Sequence, residues 1–563
     1  MDRKTLIAIV VCGIIMLLYY PFILPLFTPK RPDTQGVQEE AVLKKTQEKE
    51  VAVSPEPLKP QPVQPAQPQE EIRLKDVVLE NELVRMVWSN EGASLKSIKL
   101  KQFKDEERKD ILDLIRSDKI KYLPLAIASI LQKEDFQRQR YTIREHSSDR
   151  VVFTTSLEEG VNIVKNVSLP PGKYHVNVDI FLENTTGAPV SLSYTIIASS
   201  SLAREGDPSS DIASVVGIDI GSGKIKLAYT LPKDLPARNE SIGITWGGAM
   251  NKYFATVLKP ASSDWVASIK AQPVDKRGIP SLEGERDDFV VSLETNTLTV
   301  SPQSTVKHSY IYFTGPKKEE ILAQYETLHA LLNYGWLGSI SKVLLSFLNA
   351  VYRVFPNYGI SIIILTIIIK SMLFPLTRKS QISMFRMQQL QPMIKQLKEK
   401  YKHDKQRMGK EQMLLFKKYG VNPMSGCLPM LLQLPVFFAL FRTLQLSFEM
   451  RQAPFLLWID DLSRPDVLLL LPFAIPLLGN TLNILPLIMT GASFFQMKLA
   501  PKAPATDPQA QAQQKMMSFM PIMFAFILYN MPSGLTLYWT TSTVLSIVES
   551  VVIRKSIKKI KLQ

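Results

Sequence analysis

Residues 357–377, NYGISIIILTIIIKSMLFPLT, constrain this chain more than any other stretch. About 20 mostly apolar residues at ~1.5 Å each match the ~30 Å hydrocarbon core of a bilayer, so the segment predicts a transmembrane helix. It carries one charge, Lys370. A charge near mid-membrane costs at least ~2.5–3.5 kcal/mol on insertion scales, which marks it as a functional candidate. The bland alternative is a lysine that snorkels to the nearer surface. Thr377, the near end of the run, is ~10 Å of helix away, and a lysine stem bridges that only in part.

A chain of 563 residues has room for several domains. Lysines and arginines number 67 against 52 acids, a net charge of +15, and 45% of residues are hydrophobic. That balance fits neither an acidic disordered chain nor a simple basic nucleic-acid binder. The apolar residues gather at the two ends around a middle of ordinary soluble texture, the pattern of a membrane protein with a large extramembrane insert. The two cysteines, Cys12 and Cys427, lie in or beside apolar runs and supply no disulfide framework or cysteine metal site.

Residues 1–28 open with Arg3 and Lys4 and then run apolar to Phe27, without the small-x-small exit of a cleaved signal peptide. They predict an uncleaved signal-anchor with a cytoplasmic N-terminus. Residues 29–70 are rich in Pro, Gln, Glu and Lys, a composition that builds no core and predicts a semi-stiff disordered tether.

From 71 to 316 the texture changes to short β-rich runs at 84–88, 94–100, 151–155, 175–181, 190–197 and 288–293, parted by turns such as Pro171-Gly172 and Thr186-Gly187. Alternation such as Val176, Val178, Ile180 predicts strands with one buried face, hence a large antiparallel β-sandwich. Gly221-Ser222-Gly223-Lys224 resembles a phosphate loop, but Ile218 and Ile225 stand where Gly and Ser/Thr are required, so it reads as a turn. His146, His175 and His308 are scattered, and no catalytic or metal-binding constellation is visible.

Residues 317–356 predict an amphipathic helix. Leu337, Ile340, Leu344, Phe347, Leu348, Val351 and Phe355 share one face; Lys342, Ser346, Asn349 and Arg353 share the other. Such a helix lies flat at the periplasmic membrane interface or packs on the β domain. Residues 378–421 hold twelve Lys and Arg against three acids, with Met387, Leu390, Ile394, Leu397 and Tyr401 forming a coiled-coil-like seam. They predict a basic helical hairpin that breaks near His403-Asp404. Its surface fits a cytoplasmic loop under the positive-inside rule and also suits ribosomal RNA or acidic lipid. Arg386, Lys395, Lys398, Lys402, Lys405 and Arg407 are the docking candidates.

Further spans are expected at about 424–448, 482–499, 516–530 and 534–553. With the signal-anchor these make six and leave the basic C-terminal tail in the cytoplasm. Residues 467–478, apolar but broken by Pro472 and Pro476, predict an interfacial or re-entrant piece. The spans contain no Asp or Glu apart from Glu549, near the end of the last.

By this point the motifs are specific. Asn422-Pro423-Met424-Ser425-Gly426-Cys427-Leu428-Pro429 is followed by Leu432-Gln433-Leu434-Pro435-Val436-Phe437. With Leu373-Phe374-Pro375-Leu376-Thr377, Gln391-Pro392, Ala453-Pro454-Phe455, Trp458-Ile459, Pro532-Ser533-Gly534-Leu535 and Tyr538-Trp539, these resemble the signature of the YidC/Oxa/Alb membrane protein insertases. The resemblance covers about 330–555 in order and spacing. The β domain resembles the periplasmic insert of Gram-negative members, through Trp246, Lys252-Tyr253-Phe254 and Phe313-Thr314-Gly315-Pro316-Lys317-Lys318.

That resemblance implies an inner-membrane insertase and chaperone: an α-helical membrane core (357–563) with five core spans plus the signal-anchor, a periplasmic all-β supersandwich and a cytoplasmic helical hairpin. It implies a hydrophilic groove open to cytoplasm and lipid, whose one positive residue is usually arginine and here is Lys370. Lysine keeps the charge but loses the planar five-donor fork. Thr366 and Gln433 match polar groove positions; Phe437, Met489, Met523, Tyr538 and Trp539 fall at substrate contacts. Nascent membrane proteins, the ribosome, the Sec translocon and anionic phospholipids are the implied partners. No bond is made or broken, so no catalytic residue, metal, cofactor or small-molecule substrate is expected. The rival is an ion- or proton-coupled transporter with Lys370 as relay, which predicts internal repeats and paired intramembrane acids.

Overall fold

The structure is a computed structural model. It describes residues 73–557 apart from 116–120, 132–134, 201, 204, 206–212, 222–223, 231–242, 275–284, 333–337, 422–427, 476–477 and 500–507. The expected signal-anchor, the tether and the Asn422–Cys427 part of the signature lie outside the described residues. The chain divides into two units, Met1–Leu74 and Lys75–Gln563.

The β region is antiparallel throughout. Its largest sheet has nine strands in the order Ile225–Thr230, Ala213–Asp219, Ile244–Met250, Phe254–Pro260, Thr305–Pro316, His175–Asn184, Val161–Ser168, Arg150–Ser156, Thr142–His146. A four-stranded sheet (Val266–Val274, Glu285–Thr295, Tyr194–Ser200, Ile127–Ile130) packs against its Ile244–Met250 strand. A second four-stranded sheet is formed by Asp76–Glu80, Val84–Ser89, Ser94–Lys104 and Ile111–Asp113. The alternation in His175–Asn184 is the cause of its placement: Val176, Val178, Ile180 and Leu182 are fully buried while the residues between them are not. Gly247 permits the close approach of sheets, since a Cβ there would lie 2.5 Å from Ile269.

One expected strand is two. The run 190–197 divides into Val190–Leu192, paired with Leu298–Val300, and Tyr194–Ser200, paired with Glu285–Thr295. The chain changes sheets at Ser193, and unbroken alternation cannot announce a change of partner. Gly221 and Lys224 lie between the paired strands Ala213–Asp219 and Ile225–Thr230, as a hairpin turn requires.

The helical region contains α1 (Gly338–Val354), α2 (Tyr358–Gln389), α3 (Gln391–Lys400), α4 (Lys405–Lys418), α5 (Leu428–Leu446), α6 (Leu485–Leu499), α7 (Pro508–Leu528) and α8 (Ser533–Ile557). Among the described residues, α2 and α8 are long and apolar enough to cross a membrane, with mean hydropathy 2.2 and 1.2 over their best windows. The Asn357 side chain caps α2 by accepting from the Ile360 N–H. The helix then continues through Pro375, well past the expected end at Thr377. Helix α1 packs on α2 and α5 through Leu344 and Leu348, and Ser341 donates to the Ala439 carbonyl at 3.2 Å. Its neighbours are thus core helices, whereas the first half of the expected 317–356 helix forms only the short turns Glu319–Leu322 and Leu328–Leu331 and packs into the β core through Leu322, Tyr325, Leu328 and Leu331.

The α3–α4 hairpin closes on Met387, Leu390, Ile394, Phe416 and Val421. Asp404 caps α4 by accepting from the Arg407 N–H at 2.9 Å, which is why the seam breaks there. The expected 467–478 piece contributes the strand Val467–Ile475, which pairs antiparallel with Gly479–Asn483 and leaves Leu470 and Phe473 exposed. Pro472 disfavours a helix by removing a donor, and the pairing register shifts where it stands, between Leu470 and Ile475.

Candidate functional site

The site is organised by the loop over residues 453–466, which crosses the starts of α2 and α8. Asn357 donates to the Phe455 carbonyl at 3.0 Å. Gly359 is required beside it, because a Cβ would stand 2.0 Å from the Phe455 ring. At α8, the Ser533 and Gly534 N–H groups donate to the carbonyls of Arg464 and Leu462 at 2.6 and 3.0 Å. The two helices therefore begin at one level and run side by side. Lys370 is twelve residues into α2 and Ser546 thirteen into α8, depths of about 18 and about 20 Å.

That register brings them together. The Lys370 ammonium donates to Ser546 Oγ at 2.8 Å, and the Ser546 hydroxyl donates in turn to the Ser542 carbonyl at 2.9 Å. Beside them is an open pocket of about 230 Å³, lined by Lys370, Ser371 and Phe374 from α2 and by Leu545, Val548 and Glu549 from α8. Glu549 is thus no remote terminal acid: it shares the pocket with the lysine. Its place near the C-terminal end of α8 does not by itself disclose this. The spacing of three from Ser546 to Glu549, one helical face, was the signal that could have shown it.

Gln433 has a separate partner, its amide donating to the Tyr538 hydroxyl between α5 and α8. Tyr538 and Ser546 are eight residues apart on α8, so the two polar contacts are separated by about 12 Å of helix. Phe437 meets Trp539 edge-on at 4.9 Å, and Phe524 lies 4.7 Å from the same indole. Met523 is half-buried, whereas Met489 is fully buried and Tyr538 nearly so in the helical core. Thr366 is 1% exposed, and its hydroxyl donates to the Ile362 carbonyl at 2.6 Å. It lies inside the helix packing, not on an open wall.

On the hairpin, Arg386, Lys395, Lys402 and Arg407 are exposed and Lys398 is half-buried; the Lys405 side chain lies outside what is described. Arg407 sits 5.5 Å over the Tyr401 ring. In the β domain, His308 is held within the fold. It bonds the Tyr194 hydroxyl at 2.8 Å and stacks on Trp265 at 4.7 Å, and burial pushes its pKa down to about 4.

Residues 76–347 match the family described as the YidC periplasmic domain, and residues 350–560 match the one described as 60Kd inner membrane protein. The chain is 33% identical over 574 residues to the membrane protein insertase YidC of Pelobacter propionicus, with 99% of each chain covered. It is 34% identical over 489 residues to that of Syntrophobacter fumaroxidans, with 84% of each covered. A crystal structure of an active YidC insertase with its first transmembrane domain resolved is similar at 20% identity and a TM-score of 0.34, covering 85% of this chain and 92% of that one. Matched along almost its whole length by relatives above 30% identity, the chain belongs to the YidC family of membrane protein insertases.

Proposed function

We propose that the chain inserts nascent proteins into the bacterial inner membrane and chaperones their folding and assembly, alone or beside the Sec translocon. The observation that carries the mechanism is Lys370: a cation midway along a membrane-length apolar helix, at the wall of an open pocket. The signal-anchor and the helices at α2, α5, α6, α7 and α8 supply six crossings. Both termini and the basic hairpin face the cytoplasm, and the β domain faces the periplasm. Exposed hairpin cations meet the ribosome and anionic phospholipids.

A segment with a short acidic or polar tail must cross a ~30 Å barrier. A wet recess carrying one positive charge shortens that barrier and attracts the tail. The apolar part then passes along Phe437, Met523 and Trp539 into lipid. Membrane potential assists a negative tail by ~2.3 kcal/mol per charge per 100 mV. Lysine acts as a point charge here, so the attraction is Coulombic, without bidentate capture.

Complementation of insertase-depleted cells tests the charge. Lys370→Ala is expected to insert an acidic-tailed single-span protein several-fold less well, and Lys370→Arg to restore it. Equal insertion by the alanine variant and wild type would remove the charge mechanism. Glu549 beside Lys370 is the one observation that favours an ion- or proton-coupled transporter. Site-directed crosslinking from positions 370 and 437 to stalled nascent chains separates the two, since the insertase yields adducts and a transporter yields none.

A further inference from the structure

We propose that Glu549 is the resident counter-charge of Lys370, competing with an acidic substrate side chain for the ammonium, so that the pair sets which tail charges the groove accepts. The proposal rests on Lys370 being the charge that meets the substrate. Three observations carry it. Lys370 and Glu549 line one open pocket from two helices that start at one level. The Lys370 ammonium has three donors, and its bond in this structure goes to Ser546, one turn of α8 from Glu549. One carboxylate oxygen of Glu549 is enclosed and has no hydrogen-bond partner among the described residues.

An enclosed carboxylate oxygen without a donor is costly, and opposite charges attract far more strongly away from bulk water than within it. A lysine stem is long and flexible, so the ammonium has two stations, Ser546 Oγ and the Glu549 carboxylate. The first leaves the cation available; the second neutralises it. An entering Asp or Glu side chain competes with Glu549 for the ammonium. The resting pocket is therefore close to neutral, which lowers the cost of keeping a charge within the span and narrows the advantage of acidic tails. Glu549 then acts as a specificity-determining residue, and Ser546 as a positioning residue that holds the ammonium off it.

The test uses the full chain in insertase-depleted cells and three single-span reporters whose translocated tails carry two Asp, no charge or two Lys. Protease protection of the tail is the readout. Glu549→Gln is expected to raise the ratio of acidic-tail to neutral-tail insertion at least three-fold and to lower insertion of the basic tail; Glu549→Asp is expected to keep the wild-type ratio. An unchanged ratio in Glu549→Gln overturns the proposal. If that variant fails to accumulate, Ser546→Ala decides: removing the other station is expected to halve the ratio, and no change overturns the proposal. Lys370→Ala in the same series separates the two levels. If it abolishes the preference for acidic tails while Glu549→Gln leaves it untouched, only the counter-charge fails. If it leaves the preference intact, the reading of Lys370 itself fails.

Discussion

At the scale of single residues, Lys370 and Lys165 are held differently. Lys370 faces an open pocket; Lys165 is completely buried in the β domain, on the inward face of Val161–Ser168, where the alternation calls for an apolar residue. Its ammonium donates to the Ala93 carbonyl at 2.8 Å and to the Leu125 carbonyl. Both acceptors sit in left-handed backbone, φ 45° and 68°, a conformation that L residues other than glycine adopt at a cost. Lys165 thus pins two unfavourable turns to the large sheet. Burial pushes its pKa down to about 7. Between that value and the ~10.4 of an exposed lysine, the unfolded chain binds a proton that the folded chain does not, so stability rises with pH across the window. The thermal midpoint of the β domain, followed by tryptophan fluorescence in the full chain, is expected to rise from pH 7 to pH 9. Lys165→Met should abolish that rise; equal slopes in both proteins would assign the pH dependence elsewhere.

At the scale of elements, the α3–α4 hairpin has its own small core, separate from that of the membrane helices. Removing residues 384–419 is therefore expected to leave the β domain folded, as judged by its protease-resistant fragment, while insertion of a Sec-independent substrate falls several-fold. Undiminished insertion would take the docking role from the hairpin. Its break was legible because Asp404 is a good helix cap, and strands such as His175–Asn184 were legible because one face is buried. Val176, Val178 and Ile180 could be read directly, and the seam of Met387, Leu390 and Ile394 equally so. What was not legible depends on partners. An apolar run with two prolines did not disclose that 467–483 pairs with itself as strands. The helix-end position of Glu549 did not disclose that α2 and α8 start level and bring it to Lys370. Periodicity reports which face is buried; it does not report which neighbour buries it.

At the scale of the whole molecule, the β domain is fastened to the helical region by the chain that follows α5. Phe448 leaves the helices to enter the β core, 5.2 Å from Phe103 and 5.4 Å from Phe254, with Lys318 4.8 Å over its ring. Three residues on, Arg451 makes a two-pronged pair with Glu205, 2.7 Å on each arm, and donates to the Lys104 carbonyl. Both side chains are almost wholly buried, 4% and 3% exposed. Arg464 reaches Glu106 at 2.6 Å, and Arg108 donates to the Asp460 carbonyl at 2.7 Å. The segment that carries these contacts also bonds the first residues of α2 and α8, so one loop fastens the domain and sets the helix register at Lys370. Of the ion pairs, the exposed ones contribute little, whereas removing one partner of a buried pair leaves an uncompensated charge and costs about 3–5 kcal/mol. Arg451→Met is therefore expected to loosen the junction, seen as faster amide exchange across 448–466 in the full-length protein. Arg451→Met with Glu205→Leu removes both charges and is expected to recover most of the protection, because the buried charge that drives the loss is gone. If the single variant exchanges as slowly as wild type, the aromatic contacts around Phe448 alone hold the domain. If the double variant is no slower than the single, the guanidinium bond to the Lys104 carbonyl, lost in both, is what fixes the loop.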